Sequence, residues 1–131
     1  MSVLHPFARP RLWQGLWWVG IVAVFVVCLL PAPDLPQLPE GGDKVEHFLA
    51  YFLLAGAAAQ LHAQRVTLWR PALGLLLMGI LIEILQGTLT TTRSADVADA
   101  LADAAGVVAG LALAWTPVRG WLLALDRKLF R

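Results

Sequence analysis

The stretch DVADALADAAGVVAGLA, from Asp96 to Ala112, decides how this sequence is read. At about 3.6 residues per turn, Asp96, Asp99, Asp103, Gly106 and Gly110 fall within an arc of roughly 80°. The rest of the stretch is Val, Ala and Leu. A helix this apolar, carrying one narrow acidic stripe, fits neither a water-exposed face nor a lipid-exposed one. Set in a bilayer, its carboxylates must turn toward protein or water, because a charged group at the centre of a membrane helix costs at least about 2.5–3.5 kcal/mol.

The whole chain points to the same solvent. It has 131 residues, 59% hydrophobic and only 15% charged, with a mean hydropathy of +0.70. Soluble domains average about 45–50% apolar and about 25% charged residues. A chain of one domain's length cannot hide this much apolar surface, which excludes both a water-soluble enzyme and a disordered segment. The formal charge of +1 gives no reason to invoke nucleic acid, and the single Cys28 cannot form an internal disulfide. Cys28 reads as a small apolar packing residue.

A membrane helix needs about 20 mainly apolar residues. Four stretches qualify, giving an all-α polytopic membrane protein as a single domain over 1–131, with spans at about 12–30, 44–61, 68–89 and 97–116. The first is interrupted only by Gln14. The second reaches full length only if Asp43 and Lys44 belong to its first turn. The first span resembles a signal peptide in position, but its apolar run exceeds the usual 7–15 or so residues and Pro33 follows the would-be cleavage residue Ala32. It is expected to be retained. Pro31, Pro33, Pro36 and Pro39, followed by Gly41 and Gly42, predict a rigid loop outside the hydrocarbon. Pro71 suits a helix start, Pro117 a helix end, and Ser94 or Asp96 a helix cap. Beyond Pro117, Val118, Trp121, Leu122, Leu125 and Leu129 follow helical spacing, predicting an amphipathic C-terminal segment lying on the membrane surface. The six tryptophans lie mostly near span ends and read as interfacial belt residues, and His62 as an interfacial polar residue.

Lys and Arg collect on cytoplasmic flanks. With four spans, Arg9, Arg11, Arg65, Arg70, Arg119, Arg127, Lys128 and Arg131 share one side, and only Lys44 and Arg93 lie on the other. Both termini are therefore expected in the cytoplasm, with the chain in the inner membrane. The acids distribute oppositely. Asp126 alone accompanies the cations, whereas Asp34, Glu40, Asp43, Glu46, Glu83, Asp96, Asp99 and Asp103 fall in outer loops or the outer halves of spans.

Three helices carry polar stripes at this outer level. Asp43, His47 and Tyr51 are spaced i, i+4, i+8 on the second span. Gly79, Glu83 and Gln86 share a face of the third, and Arg93 stands in the loop before the fourth. The expected arrangement turns His47, Glu83, Gln86, Asp99 and Asp103 inward beneath an outward opening, with Gly106 and Gly110 allowing close helix approach. A plainer alternative is a network that only joins helices, pairing Glu83 with Arg93 and His47 with Asp43. The excess of carboxylates must in either case be neutralised by protons, a metal ion or a cationic ligand.

The pattern Asp43-Lys44-x-x-His47-Phe48-x-x-Tyr51, then Glu83-x-x-Gln86, then Arg93 followed by Asp99-x-x-x-Asp103-x-x-Gly106-x-x-x-Gly110 closely resembles the VanZ-like family of small bacterial membrane proteins. The match spans roughly half the chain. Asp103 departs from the family pattern, which has Asn at that place. The resemblance implies membership of that family and a place in the membrane of the cell envelope; the family takes its name from a protein linked to glycopeptide resistance of the teicoplanin type.

Two functions are weighed on the residues. The first is a non-enzymatic envelope protein whose acidic pocket (Asp43, Lys44, His47, Tyr51, Glu83, Gln86, Arg93, Asp96, Asp99, Asp103) binds an envelope lipid, a glycopeptide or a membrane-protein partner. It needs no cofactor. The second is a small membrane hydrolase or transferase acting on an envelope lipid, with His47 as general base, Glu83 or Asp99 as its partner or the acid, and Arg93 as an anionic-headgroup anchor. One variant places a divalent cation among His47, Glu83, Asp99 and Asp103. No activated nucleophile accompanies these residues. Ion or proton conduction is disfavoured, because the ionisable groups stop in the outer half.

Overall fold

The computed structural model describes residues 3–31 and 39–130. It is all-helical, with no strand among the described residues, only an isolated bridge between Leu4 and His62. The order is α1 (Pro10–Leu29), α2 (Gly42–Leu61), a 3-10 turn (Arg65–Thr67), α3 (Trp69–Leu89), α4 (Val97–Ala112) extended by a 3-10 turn (Leu113–Trp115), and α5 (Trp121–Leu129). Three helical segments are long and apolar enough to cross a membrane: Pro10–Leu29, Arg65–Leu89 and Val97–Trp115. α2 matches α1 in length but carries Asp43, Lys44 and Glu46 in its opening turns, and it is not among those three. The expected loop residues Pro33, Asp34 and Pro36 lie outside the described residues, as does Arg131.

The helix ends follow local chemistry. Pro10 opens α1 and Pro71 sits in the first turn of α3, where a missing N–H is no loss. Of the two candidate caps for α4, Asp96 is the one used, its Oδ1 accepting from the N–H of Ala98 at 2.8 Å. Gly41 and Gly120, which precede α2 and α5, have φ of +76° and +92°, a region glycine enters without strain.

α2 and α4 form the centre. They run parallel in steady register: Lys44 meets Asp96 and Asp99, His47 meets Asp103, Gly106 lies against Phe48 and Phe52, and Gly110 lies against Phe52 and Gly56. A Cβ on Gly106 would press on the carbonyl of Phe48 and come within 3.1 Å of Tyr51 Cβ. One on Gly110 would press on the carbonyl of Phe52 and come within 2.7 Å of Gly56 N. The two glycines therefore bring backbone onto backbone, which is how helices associate where lipid supplies no hydrophobic drive. α3 lies antiparallel to this pair, and Tyr51, Leu54, Ala55, Leu75 and Val107 close the core between the three helices.

α1 has no buried residue. It is tied on by hydrogen bonds: the Trp17 indole to Leu54 O at 2.9 Å, Gln86 Nε2 to Cys28 O at 2.8 Å, and the Trp13 indole to Asp126 Oδ1 at 2.8 Å. Trp13 and Trp17, read from sequence as belt residues, are thus helix ties. Between α1 and α3 runs an apolar groove of about 890 Å³ lined by Trp17, Trp18, Phe25, Leu75 and Met78, with Gln14, His62 and Arg70 near one end.

The end of the bundle holding the α2–α3 turn is stitched by polar contacts. Residues 3–5 pair with Leu61 and Ala63 (His5 N to Leu61 O, Ala63 N to Val3 O, both 2.9 Å). Gln60 donates to Val118 O and accepts from Gly120 N and Leu122 N, and Arg119 donates to Ala63 O at 2.6 Å. His62 is bound into this end, its Nδ1 lying 2.8 Å from Ala58 O. The segment beyond Pro117 is helical as α5, and Trp121 and Leu129 are exposed. Its inner face, however, carries the fully buried Asp126, whose carboxylate accepts from Ala8 N, Arg9 N and Trp13 Nε1.

Candidate functional site

The opposite end collects the candidate site residues, in two levels. At the rim, Lys44 Nζ lies 3.2 Å from Asp43, 2.9 Å from Asp96 and 3.2 Å from Asp99. One ammonium, in the first turn of α2, joins the start of α4 to its own helix. Asp43 and Asp96 keep about half their side-chain surface exposed, whereas Asp99 is buried. The Lys44 ammonium and the Ala98 N–H hold the Asp96 carboxyl below its ordinary range.

Beneath the rim, His47 Nδ1 lies 2.9 Å from Asp103 Oδ1, and His47 Nε2 lies 3.9 Å from Asp99 Oδ2. Their positions follow from i, i+4 spacing: Asp99 and Asp103 stand one turn apart on α4, and the α2–α4 register brings His47 level with both. Glu83 enters from α3, and its Oε2 accepts from the backbone N–H of Asp96 at 2.7 Å. The carboxylate thus ties α3 to the start of α4, at the end where α4's N–H groups lack helical partners.

Several buried polar atoms at this level have no hydrogen-bond partner: Tyr51 Oη, Glu83 Oε1 and Asp103 Oδ2. Tyr51 and Asp103 both turn toward Gly79, where a Cβ would stand 2.8 Å from Asp103 Oδ2 and 3.4 Å from Tyr51 Oη. Gly79 therefore makes room on α3 for the Asp103 carboxylate. His47, Glu83 and Asp103 each offer a ligand atom within 4.8 Å of the others, as does a second, rim set of Asp43, Asp96 and Asp99.

The expected cluster divides accordingly. His47, Tyr51, Glu83, Asp99 and Asp103 converge, while Asp43, Lys44 and Asp96 form the rim. Gln86 is inward and buried, but it departs from the expectation: its amide donates to the Cys28 carbonyl at the end of α1, so it fastens a helix rather than joining the carboxylates. Neither ion pair of the plainer alternative forms among the described residues. His47 takes Asp103 in place of Asp43, and Arg93 keeps a buried Nε without a partner. The four-residue ligand set splits, with Asp99 turned to Lys44 and to the far side of the imidazole. Gln60 and Asp126, which the sequence reading left without a role, organise the other end. Their partners are mostly backbone groups, which no side-chain pattern announces.

No protein-family model, curated protein or solved structure matches this chain.

Proposed function

We propose that this is a VanZ-like integral membrane protein of the bacterial cell envelope, whose acidic recess binds an envelope ligand or partner through a cationic or hydrogen-bond-donating group. The observation that carries the reading is the meeting of acids from α3 and α4 with His47 of α2 at one end of the bundle. Carboxylates in a partly dry recess attract a cation more strongly than in water. The Asp43–Gly110 pattern supports the family, and the family in turn suggests a lipoglycopeptide of the teicoplanin type as one specialised ligand.

In this reading α2 is a fourth span. It packs alongside α4 in the same layer, and its charged first turns are matched by α4 rather than left in lipid. α1 and α3 then run one way and α2 and α4 the other. The excess of Lys and Arg at the α5 end puts both termini in the cytoplasm and the acidic recess on the outer face of the inner membrane. α5, with Trp121 and Leu129 outward, lies at the inner interface.

The test is binding by purified full-length protein in detergent, using teicoplanin and, separately, a total lipid extract of bacterial inner membrane, with native mass spectrometry as readout. Wild type should retain a ligand that Asp99→Ala loses while its thermal unfolding stays cooperative. Retention unchanged by Asp99→Ala, or by neutralising any member of the recess, overturns the reading.

The His47–Asp103 pair supports one second reading, a small membrane hydrolase or transferase on an envelope lipid. A carboxylate on one imidazole nitrogen orients the ring for proton transfer at the other. Turnover of that lipid extract, abolished by His47→Gln, would favour it over simple binding.

A further inference from the structure

We propose that His47, Glu83 and Asp103 bind one divalent transition-metal cation of the Zn²⁺ or Mn²⁺ class. The inference rests on reading the recess as a ligand site, and it names what the inner level of that recess holds. The three residues come from three different helices and are all buried, with 7%, 7% and 1% of their surface exposed. Their ligand atoms lie within 4.8 Å of one another. An ion bound at about 2.0–2.2 Å keeps its ligand atoms no more than about 4.4 Å apart, so side-chain shifts below about 1 Å complete the set.

A second observation, outside the acidic set, points the same way. The Tyr51 hydroxyl is fully buried without a partner, and it faces the same notch at Gly79 as Asp103 Oδ2. Glu83 Oε1, on a residue one helical turn along α3 from Gly79, is likewise buried without a partner, so α2, α3 and α4 each carry an unsatisfied polar atom at this level. Buried polar atoms in proteins are almost always partnered, and such a group of exceptions calls for an ion or water. Two of the three are carboxylate oxygens, which cannot satisfy one another when ionised. A cation satisfies both, and the Tyr51 hydroxyl can hydrogen-bond a water completing its shell.

The donor chemistry selects the class of ion. One imidazole with two carboxylates suits Zn²⁺ or Mn²⁺, whereas Ca²⁺ and Mg²⁺ prefer oxygen alone. His47 Nδ1, the nitrogen turned to Asp103, is the ligand, and the ion displaces to solvent the proton shared between them. His47 Nε2–H is then left to Asp99, which Lys44 holds in place, in the carboxylate–imidazole–metal arrangement that orients ligand histidines. The rim set of Asp43, Asp96 and Asp99 already has the Lys44 ammonium among its oxygens, so its charge is met by the chain itself.

The experiment uses the full chain in detergent, stripped with EDTA and dialysed against Zn²⁺ or Mn²⁺, with metal content measured by mass spectrometry and thermal midpoints recorded. We expect one ion per chain, a raised midpoint, and at least tenfold weaker retention in Glu83→Gln and His47→Gln but not in Glu46→Gln, which removes an exposed acid. Co²⁺ substituted into wild type, which needs no variant to fold, should give the visible spectrum of a mixed nitrogen and oxygen site. Folded wild type that holds no ion, or an ion that Glu83→Gln still holds, overturns the proposal. Running the ligand-binding test on stripped protein separates the two readings. Asp99-dependent ligand retention without ion retention defeats the cation alone, and loss of both defeats both.

Discussion

Gly110→Ala should push α2 and α4 apart, and the amount follows from the geometry. The added methyl would meet the Phe52 carbonyl, Gly56 N at 2.7 Å and Ala55 Cβ at 2.8 Å, where ordinary contact begins at 3.4 Å. Two of these three neighbours are backbone atoms of the facing helix, so no rotamer change relieves them. The helices must separate by roughly 0.7 Å or more, loosening the neighbouring Gly106 contact as well. Overpacking of this kind costs about 1–3 kcal/mol. Replacing a mid-helix glycine by alanine returns about 0.5–1 kcal/mol of that. Taken at the middle of both ranges, the net expectation is a loss of about 1 kcal/mol. Gly74, on α3, has nothing within 4 Å of its would-be Cβ, so Gly74→Ala keeps only the backbone gain and should be neutral or stabilised by up to about 1 kcal/mol. Reversible unfolding in mixed micelles by SDS titration, followed by tryptophan fluorescence, reads both. The reasoning fails if Gly110→Ala is as stable as wild type or if the two substitutions shift stability in the same direction.

Three other outcomes are expected. Asp126→Ala should free the segment before α1, seen as faster amide exchange at Ala8 and Arg9 and faster proteolysis ahead of Pro10; unchanged exchange would show that α5 does not hold it. Gln86→Leu leaves the Cys28 carbonyl without its side-chain donor and should destabilise by about 1–3 kcal/mol, and an unchanged SDS midpoint would count against this tie. Stability should also fall with acid in two stages. Burial, then the Arg119 and Arg127 charges, hold the His5 pKa below its ordinary 6.5. For Asp126, burial raises the pKa, but the Ala8 N–H, the Trp13 indole and the Arg9 N–H outweigh it and leave it below 3.8. Both groups are depressed in the folded state, so their contributions are complete above 6.5 and 3.8 respectively and are lost as pH falls through the lower folded values. Thermal midpoints across this range should show a first decline that His5→Gln removes; an identical decline in that variant would refute the assignment.

Much of the recess was legible because helical periodicity fixes faces. Asp96, Asp99, Asp103, Gly106 and Gly110 declare one stripe on α4, and His47 and Tyr51 another on α2. Bilayer energetics then require such stripes to meet. What periodicity leaves open is which neighbour each group takes once several lie within reach. His47 choosing Asp103 over Asp43, and Lys44 bridging three acids, depend on the parallel α2–α4 register, which is set by how deeply Gly106 and Gly110 let the backbones approach. For Gln86 the spacing gives the face and leaves the partner open, because that partner is a carbonyl freed where α1 ends. Asp126 was opaque for a related reason: an acid on a short tail, serving backbone N–H groups some 118 residues earlier, leaves no trace in side-chain spacing. The expected count of four crossings depends on α2, whose charges belong to the recess and lower the hydropathy by which spans are recognised.

The absence of buried residues on α1 has a consequence for biosynthesis. Its partners Leu54, Gln86 and Asp126 are all made later, the last of them 113 residues after Trp13. α1 must therefore wait alone among lipids while the ribosome finishes, and a helix of mean hydropathy 2.1 with no charge after Arg11 can do so. α2 cannot wait in the same way, since Lys44 has Asp43 beside it but its partners Asp96 and Asp99, and the Asp103 partner of His47, come only with α4. With α2 a fourth span, as proposed, membrane insertion proceeds in two acts, an early solitary anchor and a late joint entry of the three helices that carry the polar residues.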